Sequence, residues 1–136
     1  MSLHGASYSV LKSDGTKDDI VVAATGVVYT HSFEMNKGVY FGVWVKLQST
    51  LTGEDVKVEL EQSYALPTVE GAAETALWVI PDSASAIFAQ INDELAHIAT
   101  LSPVPMNYGR YKLTGLGSNP NDTVVKIKNF MQEPTY

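Results

Sequence analysis

The strongest constraint on this chain is an alternation of period two. In the run "VYFGVWVKLQ", Val39, Phe41, Val43, Val45 and Leu47 point one way, and Tyr40, Gly42, Trp44, Lys46 and Gln48 the other. Successive side chains of an extended chain leave opposite sides of the backbone, so this pattern is a strand with one wholly apolar face. That face needs a core. The opposite face carries Tyr40 and Trp44, much aromatic surface to leave in water.

The pattern recurs along the chain. In "VKVELEQSY", Val56, Val58 and Leu60 read as inward, and Lys57, Glu59 and Glu61 as outward. The loop "STLTGED" separates the two runs, with Gly53 free to take a positive φ. Together the runs predict an antiparallel hairpin with one wet face. Upstream, "SYSVLKS" predicts a short first strand before a "DGTK" turn, and "DDIVVAATGVVYTHSFEM" two strands broken at Gly26. "ALWVIP" is a short apolar strand ended by Pro81.

The segment "DSASAIFAQINDELAHIATLSPVPM" allows two readings. Ile87, Ile91, Leu95 and Ile98 follow helical spacing, with Asp82 as cap. Broken at Asn92-Asp93, the same residues make two strands, "SAIFAQI" and "AHIATLS". Periodicity leans to the helix, and the strand-rich context to the strands; the strand reading is preferred. The last part, "YGRYKLTGLGSNPNDTVVKIKNF", reads as strand, turn-rich loop and strand, a hairpin that closes the domain. In all, about eight short strands predict an all-β antiparallel sandwich of jelly-roll type, one domain over residues 1–136.

Composition narrows the functional classes. At 45% hydrophobic and 18% charged, the chain has an ordinary globular make-up and enough apolar residues for a core. It has no cysteine, hence no disulfide or thiolate metal site. A net charge of −6 argues against nucleic-acid binding through phosphates. No apolar run approaches the roughly 20 residues of a membrane span, and no secretion signal is evident. The reading is no nucleic acid, no membrane, no cofactor and no metal.

Candidate chemistry is sparse. His4, His31 and His97 stand in no metal-ligand spacing. Glu59 and Glu61 share a strand face about 7 Å apart, from twice the strand rise, and read as a solvated face rather than a glycosidase pair. "NDT" at Asn121 to Thr123 matches a glycosylation sequon, and Asn119, Asn121 and Asp122 carry oxygens that suit calcium. Turn chemistry accounts for both: Gly115 and Gly117 for positive φ, Asn119-Pro120 for the bend, Asp122 for backbone N–H groups. Arg110, Lys112, Lys126 and Lys128 fall opposite core-facing residues. Read as one wet face they make a ladder of like charge, with Glu59 and Glu61 as partners if their strand is adjacent. No catalytic residue is assigned, and the chain reads as a non-enzyme.

The aromatic residues carry more weight. Tyr40, Trp44, Trp78 and Tyr108 are the candidate anchors of an interface, where tyrosine and tryptophan are enriched. Sugar stacking on Trp44 and Tyr40, as in a carbohydrate-binding module, is the alternative. Simple coverage of both sheet faces within the domain is the third reading.

The stretch "ELAHIATLSPVPMNYGRYKLTGLGSNPNDTVVKIKNFMQE", from Glu94 to Glu133, resembles the C-terminal part of small structural proteins of tailed bacteriophages. The pattern is "HI…LSP", then "RYKLTG", then "NPNDTVV" and a closing charged strand. The resemblance implies a β-sandwich displayed on a virion after synthesis in the host cytoplasm. It implies a head decoration, cement or fibre-base role, assembly as a homotrimer, and the major capsid protein or another virion protein as partner. Arg110 and Asp122 match its polar positions, with Arg110 expected to pin the corner by reaching Asp122 or loop carbonyls.

Overall fold

The computed structural model describes residues 2–9, 19–35, 40–49, 55–65, 78–80, 85–101, 103, 106–117 and 122–135. Ten strands form two antiparallel sheets. Sheet 1 holds β1 (Ser2–Ser9), β2 (Ile20–Val22), β5 (Tyr40–Ser49), β8 (His97–Leu101) and β10 (Thr123–Thr135). Sheet 2 holds β3 (Val27–Tyr29), β4 (Phe33–Glu34), β6 (Val56–Ser63), β7 (Phe88–Ile91) and β9 (Tyr108–Gly115).

The two sheets share one plan. In sheet 1, β1 and β2 lie along one edge of β10, with β5 and then β8 on the other. In sheet 2, β3 and β4 lie along one edge of β9, with β6 and then β7 on the other. The pairs nest: β6 with β7, β5 with β8, β3 and β4 with β9, β1 and β2 with β10. A chain folded back on itself and rolled into two sheets pairs in this way, and that is the jelly roll. Segment 85–101 is strand, not helix, broken near Asn92.

Two pairings read from the sequence are corrected. The runs β5 and β6 are not a hairpin: β5 pairs with β10 and β8, and β6 with β9 and β7. The closing strands β9 and β10 likewise belong to opposite sheets. Alternation dictates which residues face the core, but two neighbouring runs can meet side by side or across the sandwich, about 10 Å apart. Here they meet across it. Val43, Val45, Leu47, Val125 and Ile127 of sheet 1 pack in one cluster with Val56, Val58, Ile91, Tyr111 and Leu113 of sheet 2.

A polar link crosses this core. The Tyr111 hydroxyl donates to Asn129 Oδ1, joining β9 to β10 between the sheets. Thr30 Oγ1 accepts from the Tyr111 backbone N–H at 2.9 Å. A buried hydroxyl without an acceptor would cost about 1–3 kcal/mol, so the pairing lets a large ring fill the centre.

Candidate functional site: the two outer sheet faces

With the inner faces committed to the core, function falls to the outer faces and the rims. On sheet 1, the strand registers set the outward residues in rows. Lys126 is directly opposite Lys46. In the next row Lys128, Trp44 and Ile98 stand side by side across β10, β5 and β8. In the row beyond, Phe130 is opposite Gly42, which is opposite Thr100. Ile98 is 71% exposed and Phe130 37%, while Trp44 is half-buried. The Lys128 ammonium lies over the Trp44 ring, 5.6 Å from its centroid.

The outer face of sheet 2 is built differently. Arg110 is only 1% exposed, although it points away from the core. Its Nε donates to Glu61 Oε1 at 2.8 Å, and Glu61 is itself buried. Its guanidinium lies 4.0 Å from the Tyr29 ring centroid and 4.6 Å from that of Trp78. Trp78 reaches this place because Val79 pairs with Gln62 through two backbone hydrogen bonds, extending the sheet beyond β6. The remaining charges balance locally: Lys57 Nζ is 3.6 Å from Glu59, and Glu59 is opposite Lys112. Arg110 Nη2 and Trp78 Nε1 are buried without a hydrogen-bond partner; for the guanidinium, the two ring faces supply cation–π attraction in its place.

The expected anchors therefore do not form one surface. Trp44 lies on the outer face of sheet 1. Trp78 is 5% exposed and packs on Arg110. Tyr108 is half-buried at the start of β9, opposite Glu34 and Ser63. The Tyr40 backbone belongs to β5, and its side chain lies outside the described residues.

The corner residues need correction as well. Arg110 binds Glu61 rather than reaching Asp122, because β6 is its neighbour in the sheet. Gly115 does not adopt positive φ; Gly117 does, at 86°. Gly115 is needed for close approach instead: a Cβ there would stand 2.2 Å from the Ala23 carbonyl oxygen. Asp122 is exposed and makes no hydrogen bond to a described residue; Asn119 and Pro120 lie outside the described residues. The four cations do not share a face. Arg110 and Lys112 belong to sheet 2, and Lys126 and Lys128 to sheet 1. The adjacency of Glu59 and Glu61 to the first two does hold.

At the rim where β7 passes to β8, His97 Nε2 lies 2.7 Å from Asp93 Oδ1. A turn brings them together, not a helix. The His97 hydrogen bond is the main cause that holds the Asp93 carboxyl below its ordinary value; desolvation opposes it, and the Leu95 N–H and the His97 charge add to the lowering. His4 and His31 belong to other elements, and no three metal-ligating side chains cluster among the described residues.

The sequence reading missed Ile98, Phe130 and Tyr29 as members of these faces, while it did place Glu61 on the outward side of its strand. Phe130 was within reach, since it continues the outward parity of Lys126 and Lys128. Ile98 was obscured by the helical spacing of its segment. The Arg110 cage left no local signal, because its four members come from four separate parts of the chain.

No protein-family model matches the chain, and no curated protein does. Among solved structures, the chain is similar to the Yersinia pseudotuberculosis-derived mitogen at TM-score 0.39 and 11% identity, covering 94% of this chain and 85% of that one. It is also similar to the structure of infectious bursal disease virus, Gx strain, at TM-score 0.43 and 6% identity, covering 96% of this chain and 32% of that one.

Proposed function

We propose that this protein is a structural component of a tailed-bacteriophage virion, a head decoration or cement-type jelly roll that docks through the outer face of sheet 1. The observation that carries the reading is that face. Three adjacent strands present Trp44, Ile98 and Phe130 outward in neighbouring rows. Covering apolar surface yields roughly 25 cal/mol per Å², less the substantial cost of association. A stable contact needs above about 1,000 Å² in total, which a flat sheet face suits. The C-terminal resemblance supports the same reading, as does a fold that serves viral capsid and lectin domains. The major capsid protein is the expected partner, with self-association into a trimer as a second contact.

Sugar stacking is the weaker alternative. Trp44 would be its platform, yet Lys128 already lies over that ring.

The test is incorporation into particles. Mass spectrometry of gradient-purified virions should find the chain, and Ile98→Asp in the phage genome should deplete it from particles while the purified variant stays folded. A chain confined to the host soluble fraction, or undiminished incorporation of the folded Ile98→Asp variant, would overturn the proposal. Light scattering on the purified protein reads the trimer directly.

A further inference from the structure

The positive charge of this acidic chain is unevenly placed. Lys46, Lys126 and Lys128, three of nine cations in a chain of net charge −6, are exposed together on the outer face of sheet 1. No described residue that points outward from β5, β8 or β10 is a carboxylate. Lys126 and Lys46 are directly opposite across β10 and β5. Like charges in that position repel, and the sheet holds them there. With Leu47, Gln48 and Glu94, these two lysines line a recess of about 210 Å³. Glu94, at the rim, is the nearby acid. Further along β5 and β10 are Trp44 and Phe130, and Ile98 stands opposite Trp44 on β8.

We infer that the outer face of sheet 1 receives an acidic, partly apolar segment of a partner protein, its carboxylates over Lys46 and Lys126 and its apolar side chains over Ile98, Phe130 and the Trp44 edge. This rests on the reading of that face as the docking surface and adds the chemistry of what docks. Charge complementarity selects the partner. A second copy stacked face to face would gather the lysines of both copies on one contact, so self-association must use another surface. A nucleic acid or sulfated polysaccharide needs a longer basic track than three lysines in a chain of net negative charge. The aliphatic Ile98 and the capped Trp44 ring suit side chains better than sugar rings.

The test is amide chemical-shift mapping by NMR on the full chain, with four probes at low ionic strength. They are a random glutamate–tyrosine copolymer, poly-L-glutamate, heparin and phosphatidylserine vesicles. The copolymer should shift the amides of Trp44, Lys46, Ile98 and Lys126, and bind roughly tenfold more tightly than poly-L-glutamate because its rings cover apolar surface. Raising the salt until the screening length falls to about 3 Å should abolish poly-L-glutamate binding and weaken the copolymer. Lys126→Glu should weaken the copolymer at least about tenfold. It should also melt no lower than wild type, since it replaces a repulsion by an attraction. Lys57→Glu, on sheet 2, should bind like wild type.

Failure of both glutamate polymers, heparin or vesicles binding where the polymers do not, or unchanged copolymer affinity in Lys126→Glu would each overturn the inference. The virion reading fails separately: absence from particles, with the copolymer result intact, removes that reading alone.

Discussion

The two outer faces of this sandwich both carry cations and aromatic rings, and they treat them differently. On sheet 2, cation meets carboxylate and ring: Arg110 is held by Glu61 between Tyr29 and Trp78, and Lys57 and Lys112 flank Glu59. On sheet 1, Lys126 meets Lys46 across the strands, Lys128 lies over Trp44, and Ile98 and Phe130 stay toward water. The first face has satisfied its charge and buried its aromatics within the chain. On the second, no described residue pointing outward from β5, β8 or β10 is a carboxylate, and Ile98 and Phe130 stay exposed. The difference lies in the carboxylates: β6 sets Glu59 and Glu61 beside the cations of β9, and the described outward residues of β5, β8 and β10 include none.

The largest expected effect tests whether sheet 2 is closed. Arg110→Met should cost about 3–5 kcal/mol in urea unfolding, because it leaves Glu61 charged and buried without its partner. The double variant Arg110→Met, Glu61→Leu should recover most of that loss. A single-variant cost under about 1 kcal/mol would mean that the cage is open to solvent and the contrast false.

The two tryptophans give the next comparison. Trp78→Ala should cost about 3 kcal/mol or more, as for a buried aromatic. Trp44→Ala, at a half-buried site, should cost about 1 kcal/mol. Equal losses would show that Trp44 belongs to the monomer rather than to a partner.

Smaller effects sharpen the picture of sheet 1. Lys126→Glu should raise stability by about 0.2–1 kcal/mol, by facing Lys46 with an opposite charge. A measured loss would imply that the lysines already have a partner in the free protein. Ile98→Thr and Phe130→Thr should each change stability by no more than about 0.5 kcal/mol, since both side chains are exposed. Thermal melts decide both.

The smallest effect concerns the rim between the faces. Asp93 is depressed in the folded state, so its contribution is fully present above its ordinary value of 3.8 and is lost as pH falls through the lower folded value. In a carboxyl NMR titration, His97→Asn should move the Asp93 midpoint upward, toward that ordinary value. An unmoved midpoint would show that the 2.7 Å contact is not formed in solution.

Much of the fold was legible before the structure. Alternation assigned Val43, Val45, Leu47, Val56, Val58, Tyr111, Leu113, Val125 and Ile127 to the inside, and all are buried. The break at Asn92-Asp93 separated β7 from β8 as the strand reading expected. The outward parity of Trp44, Lys126 and Lys128 was also readable. The neighbours of these strands were not. The runs "VYFGVWVKLQ" and "VKVELEQSY" looked like a hairpin, and nothing local distinguishes a hairpin from two strands facing across a core.

Period two is a property of the extended backbone, so the chain's order alone established that this is a β-protein and which side of each strand is apolar. Pairing is a property of strands distant in sequence. Residues 61 and 110, or 46 and 126, meet only after the chain has been rolled into two sheets. Tertiary structure therefore decided that Arg110 is caged, that Trp78 is buried against it on the outer face of sheet 2, and that two lysines stand opposed beside an exposed apolar row. Whether a charge is neutralised or left to attract a partner depends on what stands about 5 Å away on the next strand, and that distance is set by the fold.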